Sequence, residues 1–312
     1  MHKLSRSKFV NHPTCIAFYF HLSYKINNDC LRLILDHKNV YPMQPTVLPW
    51  RSTLLEINRT YAHMGDQIID LTHLNNSPTS ILQNNRNLIT RVDTNKGSFV
   101  VKDFRGMYFL NRLAYSWFRK TKSIRSYLNS QRLNAMGIRT PVPIAWLDEY
   151  AWGILKRSFY ISDFYPHPTL AQFIEAKRIN QLHVVQSVLN DLAKFALRLH
   201  RLGVLHDDFS VGNIFVVPRP EGFDFALIDV NRMRFKKHVS YEAGLSNMKK
   251  LQLDPDQLQI LVKAYANLCE EDENYALHKF FSFQQRRSKL RRTRKILKRY
   301  TIGLIEKLVQ VR

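Results

Sequence analysis

Asp208, Asn213 and Asp229 are the residues of this chain whose types and spacing best suit chemistry. Asp208 follows His206 by two positions, Asn213 follows Asp208 by five, and Asp229 closes the apolar run that ends at Ile228. This is the spacing of a phosphoryl-transfer catalytic loop with its metal-binding aspartate. Such transfer needs a carboxylate to accept the proton of the attacking hydroxyl, and hard oxygen ligands to hold magnesium on nucleotide phosphates. Asp208 is therefore the expected base, Asn213 and Asp229 the expected metal ligands, and His206 the residue that braces the loop through backbone hydrogen bonds. The plain alternative is a polar loop that merely caps a hairpin.

The elements that must position these residues are legible nearby. Ile214 to Val217 reads as a strand, Pro218 to Gly222 as a turn, and Phe223 to Ile228 as a second strand, so the functional residues sit at the edges of a hairpin. Upstream, Leu182 to Leu202 is a clean amphipathic helix ended by Gly203, and His200 on or beside its apolar face reads as structural. Phe159 to Phe164 reads as a strand, and Thr169 as the cap of a helix that begins at Leu170.

These segments, His206 to Asn213 with Ile228-Asp229-Val230-Asn231-Arg232, resemble the bacterial lipopolysaccharide core kinases, the Kdo and heptose kinase family. The Ile-Asp-x-x-Arg ending, in place of Asp-Phe-Gly, is the more telling part. The resemblance implies an α+β fold of two lobes, protein-kinase-like, with a small antiparallel sheet and a mainly helical second lobe. Its expected ranges are an N-lobe over 58–160 and a C-lobe over 161–312 that ends in a basic helix, after a poorly specified arm over 1–57. It also implies ATP and Mg2+ as cofactors and a sugar hydroxyl of a lipopolysaccharide inner core, or of a similar glycolipid, as acceptor.

Within that frame Ile81-Leu82, Leu88 to Val92 and Ser98 to Lys102 read as the N-lobe strands, with Asn95-Lys96-Gly97 as a turn. Lys102 then lies where a strand lysine meets the α- and β-phosphates. The glycine-rich loop is absent, and Gln83 to Asn87 takes its place, with Arg86 as a phosphate contact. The helix from Arg119 to Met136, ended by Gly137, contains no acid to pair with Lys102, which leaves Lys102 without a partner or borrowing Asp103, Asn129 or Gln131. Asn231 and Arg232 are expected substrate contacts. Asp207 stands where many regulated protein kinases carry Arg, so activation by phosphorylation is not expected. The missing acid and glycine loop also admit a catalytically weak pseudokinase scaffold, and a protein Ser/Thr/Tyr kinase is a further alternative.

Charge sets the partner class. The 312 residues carry a formal charge of +22, with 45% hydrophobic and 12% aromatic residues, which describes a globular chain with a polyanionic partner. Arg and Lys fill nine of the fourteen positions from Arg286 to Arg299, with apolar residues interleaved, and this reads as a helix for an anionic membrane surface. Basic residues from Lys102 to Arg139, among Tyr108, Phe109, Tyr115, Trp117 and Phe118, suit the same surface or a phosphorylated sugar. No zinc, RNP or helix-turn-helix signature accompanies them, so nucleic acid is not expected as a partner. Cys15, Cys30 and Cys269 are far apart and form no zinc or disulfide pattern. The expected location is cytoplasmic, peripheral on the inner face of the cytoplasmic membrane.

Overall fold

The computed structural model describes residues 21–27, 30–36, 51–73, 79–105, 119–177 and 181–310. Tyr108, Phe109, Arg112, Tyr115, Trp117 and Phe118 of the expected basic and aromatic segment lie outside the described residues, as does much of the arm before residue 51.

The first lobe is built on β1 (His21–Asn27), β2 (Cys30–Asp36), β3 (Arg51–Asn58), β4 (Thr79–Asn84), β5 (Leu88–Thr94), β6 (Gly97–Asp103), β7 (Pro143–Ala151) and β8 (Ile154–Asp163). They form one sheet in the order β1-β2-β3-β7-β8-β6-β5-β4, and every pairing is antiparallel. β4, β5 and β6 fall where the short apolar runs and the Asn95-Lys96-Gly97 turn predict them. Leu88, Thr90 and Val92 of β5, with Phe99, Val101 and Asp103 of β6, face inward. The period of two then turns Val100 and Lys102 to the other face, which borders the cleft.

The sheet also extends into the segment that the sequence leaves unspecified. β3 pairs along β7 from Arg51–Ala151 to Ile57–Ala145, and β2 and β1 continue it by backbone pairing. Only Leu55 and Ile57 of β3 are fully buried hydrophobics, too few to give residues 1–57 a visible period. They complete a core with Met64, Ile68, Leu71, Phe159 and Ile161, to which helix α1 (Gly65–His73) contributes.

Helix α2 (Lys122–Ala135) lies beside β7 and β8. Thr121 caps it, its side chain accepting from Ile124 N at 3.3 Å, and Gly137 at φ 70° ends it. Its buried face is mostly small and hydroxylic: Ser123 donates to Asp148 Oδ1 at 2.6 Å and Ser130 bonds the Tyr160 hydroxyl at 2.9 Å. Burial pushes the carboxyl of Asp148 up to about 6, because Ser123, Thr121 and Ser158 offset only part of its lost hydration.

The second lobe contains α3 (Leu170–Lys177), α4 (Leu182–Arg201), β9 (Val204–His206), β10 (Ile214–Arg219), β11 (Gly222–Leu227), β12 (Met233–Phe235), α5 (Tyr241–Asn247), α6 (Pro255–Leu268) and α7 (Glu273–Gln310). The 20-residue α4 is its spine: Val185, Val188, Leu189, Leu192, Phe195 and Leu199 fall on one stripe and are buried. Each such side chain contributes about 1.5–3 kcal/mol by leaving water. The stripe packs on α6 and on the β10–β11 hairpin. Ala276 and Phe280 anchor the first turns of α7 in this core, and beyond Gln285 most described side chains of that helix are exposed.

Gly203 makes the reversal from α4 into β9. It sits at φ 75°, and a Cβ there would lie 2.0 Å from the carbonyl oxygen of Lys236. Both the backbone conformation and the space demand glycine. Gly203→Ala is expected to cost about 3 kcal/mol of folding stability, read as a lower urea midpoint with an unchanged m-value.

Candidate active site

β9 delivers His206 into the protein interior, where it is fully buried. Its Nδ1 accepts from the backbone N–H of Asp208 at 2.9 Å, and its Nε2 donates to the carbonyl of Ile228 at 3.0 Å. Both nitrogens are satisfied by the neutral ring alone, since a proton on Nδ1 would face a donor. Burial holds the pKa below the ordinary histidine value, the Ile228 bond and the nearby carboxylates notwithstanding. One imidazole thus fixes the loop of Asp208 to the strand end that precedes Asp229.

Asn213 makes the second tie. Its Nδ2 donates to the carbonyl of Asp208 at 3.0 Å, and its own carbonyl accepts from the N–H of Ile228 at 3.0 Å. With the amide nitrogen spent, Oδ1 is the group left for a cation. Asp229 itself adopts the left-handed conformation at φ 55°, ψ 41°, which is uncommon outside glycine and best tolerated by Asp and Asn. The conformation sits at the junction where the chain leaves β11.

Two donors converge on Asp229 Oδ1: the ammonium of Lys102, and Asn231 Nδ2 at 2.6 Å. Burial works to raise the Asp229 pKa, but Lys102 outweighs it, with Arg232 adding, and the carboxyl is held below the usual range. The strand lysine therefore has a partner, and it is not Asp103, which pairs with Arg105 at 2.7 Å. Nor is it Asn129, whose Nδ2 donates to the carbonyl of Val230 at 2.7 Å and so ties α2 to the Asp229 turn. Without an acid on α2, Lys102 bridges the lobes by pairing directly with Asp229.

Three further candidates lie around this centre. Asn231 is buried and spends its amide nitrogen on Asp229, so it orients that carboxylate. Arg232 is exposed, and its carbonyl accepts from Asp207 N at 2.9 Å. Arg86 is exposed on the β4–β5 turn and does not line the cleft. It does face Lys122 at the start of α2, whose ammonium burial, together with Arg86, Arg232 and Lys102, pulls down to about 8.

The sequence gives no hint of three further residues. Asn247 Nδ2 donates to the carbonyl of His206 at 2.8 Å, and its Oδ1 faces His200 Nε2 at 3.4 Å. His200 Nδ1 in turn bonds the hydroxyl of Tyr265 at 2.8 Å. This buried chain runs from α6 through α4 and α5 to the back of the catalytic loop, and it assigns His200 the structural role read from its helix. On the other side, Lys250 Nζ reaches the carbonyl of Asp207 and donates to Asp208 Oδ1 at 3.1 Å.

The cleft between the lobes has a volume of about 940 Å³. Val100, Ile89 and Ile228 give it apolar walls, Ser162 to Tyr165 close it where the lobes join, and Lys102, Asp208, Asn213 and Asp229 line its polar end. Among the described residues no three His, Cys, Asp or Glu side chains gather as a metal site. The donor set present, one carboxylate and one amide oxygen, suits a magnesium ion that takes its remaining ligands from phosphates and water.

A sheet lobe over a helical lobe, with this cleft between them, defines a protein-kinase-like fold. Residues 82–269 match the lipopolysaccharide kinase (Kdo/WaaP) family, and the chain belongs to that family, whose members are kinases. Among solved structures the fold is similar to one titled "WaaP in complex with acyl carrier protein", with a TM-score of 0.52 and 13% sequence identity. The match covers 75% of this chain and 98% of that one. No curated protein matches the sequence.

The buried His200 yields a pH dependence with a definite sign. Its pKa falls from 6.5 to about 4 through burial, so the fold binds fewer protons than the unfolded chain between those values. The stability it contributes is complete above pH 6.5 and is lost as the pH falls toward 4. The gap in unfolding free energy between the protein and His200→Gln is expected to narrow by about 2 kcal/mol from pH 7 to pH 5. Asp148 has the opposite sign but is common to both proteins and cancels. Urea titrations at the two pH values measure the gap.

Proposed function

We propose that the protein transfers the γ-phosphoryl group of ATP to a sugar hydroxyl of a lipopolysaccharide inner core or a similar glycolipid. The observation that carries this reading is the double tie of His206 and Asn213, which holds Asp208, Asn213 and Asp229 at the polar end of one cleft beneath Lys102. Asp208 orients the acceptor hydroxyl and takes its proton as the oxygen attacks. Asn213 Oδ1 and the Asp229 carboxylate would hold magnesium, and Asn231 keeps that carboxylate in place. Bound magnesium neutralises charge on the phosphates and aligns the group being transferred. Lys102 exchanges its carboxylate partner for the nucleotide's phosphates, and the apolar walls of the cleft take the base.

The charge of the chain supports an anionic acceptor. The path from Asp229 to α5 is short: a single turn, the three-residue β12 and a few linking residues up to the Ser240 cap. That leaves little platform for a docked polypeptide and suits a small head group. No helix among the described residues is long and apolar enough to cross a membrane. We place the protein at the inner face of the cytoplasmic membrane, with the basic helix α7 against anionic lipid.

The test is transfer of labelled phosphate from ATP to purified core glycolipids in the presence of magnesium. Asp208→Ala is expected to reduce turnover by about 1,000-fold while leaving nucleotide binding within about twofold. Asp229→Ala is expected to abolish turnover together with the magnesium dependence of nucleotide binding. Transfer that survives Asp208→Ala would contradict the assignment.

A further inference from the structure

The basic helix α7 does more than present charge outward. Arg287 turns inward: its Nη1 donates to the carbonyl of Lys249 at 3.3 Å, on the single turn Met248–Lys250 that also supplies Lys250 to Asp208. Arg291 follows one helical turn later, on the same face and within the field of Arg287. Asp208 lies close enough to act electrostatically on Arg287. A cationic face therefore borders the catalytic loop on the side where Lys250 approaches Asp208.

The two nearby acids each have another cation as ion-pair partner. Asp207 is paired with Arg234 at 2.6 Å and Asp208 with Lys250 at 3.1 Å. Lys249 bonds only the hydroxyl of Ser246, at 2.9 Å, and no ion pair is recorded for Lys249, Arg287 or Arg291 among the described residues. Burial and mutual repulsion depress the pKa values of both Lys249 and Arg287. Cations gathered on this face, on and beside the turn whose Lys250 meets Asp208, suit an anion that arrives with the acceptor.

We propose that Lys249, Arg287 and Arg291 form a clamp for an anionic group, a phosphate or carboxylate, that the acceptor carries close to its reacting hydroxyl. This rests on the kinase reading above and adds a requirement to it: a neutral sugar is a poor acceptor even when its hydroxyl is correctly placed. The clamp selects the acceptor by charge. These are positioning residues, since none of them takes part in the bond exchange at phosphorus.

The test compares a delipidated inner-core oligosaccharide that bears phosphate and carboxylate groups with the same saccharide after dephosphorylation and methyl esterification. The protein should favour the charged form. Arg287→Gln and Arg291→Gln should each raise the KM for the charged acceptor about fivefold to tenfold while leaving the KM for ATP unchanged. Arg287→Lys should recover most of the loss, which a purely structural role would not explain, and exposed Arg291 gives a variant that folds. Unchanged acceptor KM and unchanged charge preference in both Gln variants would overturn the clamp. If the variants keep their preference but lose flotation with vesicles of phosphatidylcholine and phosphatidylglycerol, the cations serve lipid head groups and the clamp is again overturned. Anisotropy of the fluorescently tagged charged saccharide, measured without nucleotide, separates this idea from the kinase reading. Binding that Arg287→Gln weakens supports the clamp even if no phosphate is transferred, and absence of binding refutes it.

Discussion

A neutral imidazole is the constraint on which the active site depends. His206 can satisfy Asp208 N–H and Ile228 C=O together only in one tautomer and only without charge. Those two bonds set the loop that carries Asp208 against the strand end that carries Asp229, so the carboxylate proposed as base and the one proposed as metal ligand are placed by a single side chain. The environment enforces the neutral state by burial, and the chain from Tyr265 through His200 and Asn247 holds the loop backbone from behind. His200 differs: the Tyr265 hydroxyl and Asn247 Oδ1 could both accept, and it is burial that keeps its ring uncharged.

The ion pair of Lys102 with Asp229 resolves what looks like a defect in the sequence. A strand lysine with no acid on the neighbouring helix seems unpartnered, and the partner proves to be the metal-binding candidate across the cleft. Helix α2 serves in another way, through Asn129 on the carbonyl of Val230 and through buried serines that leave room near the lysine. Pairing across the lobes keeps Lys102 extended into the cleft.

What was legible beforehand follows from the range of the interactions. The loop from His206 to Asn213, the hairpin after it and the two-residue alternation that exposes Lys102 are local patterns, and they are found as expected. The spine helix, its glycine stop and the structural role of His200 are equally local. Lys250 and Asn247 reach the site from more than forty positions away, and nothing in their neighbourhood distinguishes them from other surface lysines or helix-end asparagines. β3 escaped for a related reason: its side chains alternate weakly, and it is a strand because β7 lies beside it. Arg86 and Asn231 show the converse limit, since suitable residue types near a motif say nothing about where the side chains are spent.

This constellation is proposed to move phosphate onto a sugar. The direct measurement is phosphorus-31 NMR of a core glycolipid after incubation with the protein, ATP and magnesium. A new phosphomonoester resonance coupled to a ring proton of one sugar, growing in step with ADP, is the expected result. ADP and inorganic phosphate without that resonance, or phosphate found only on the protein, would contradict it.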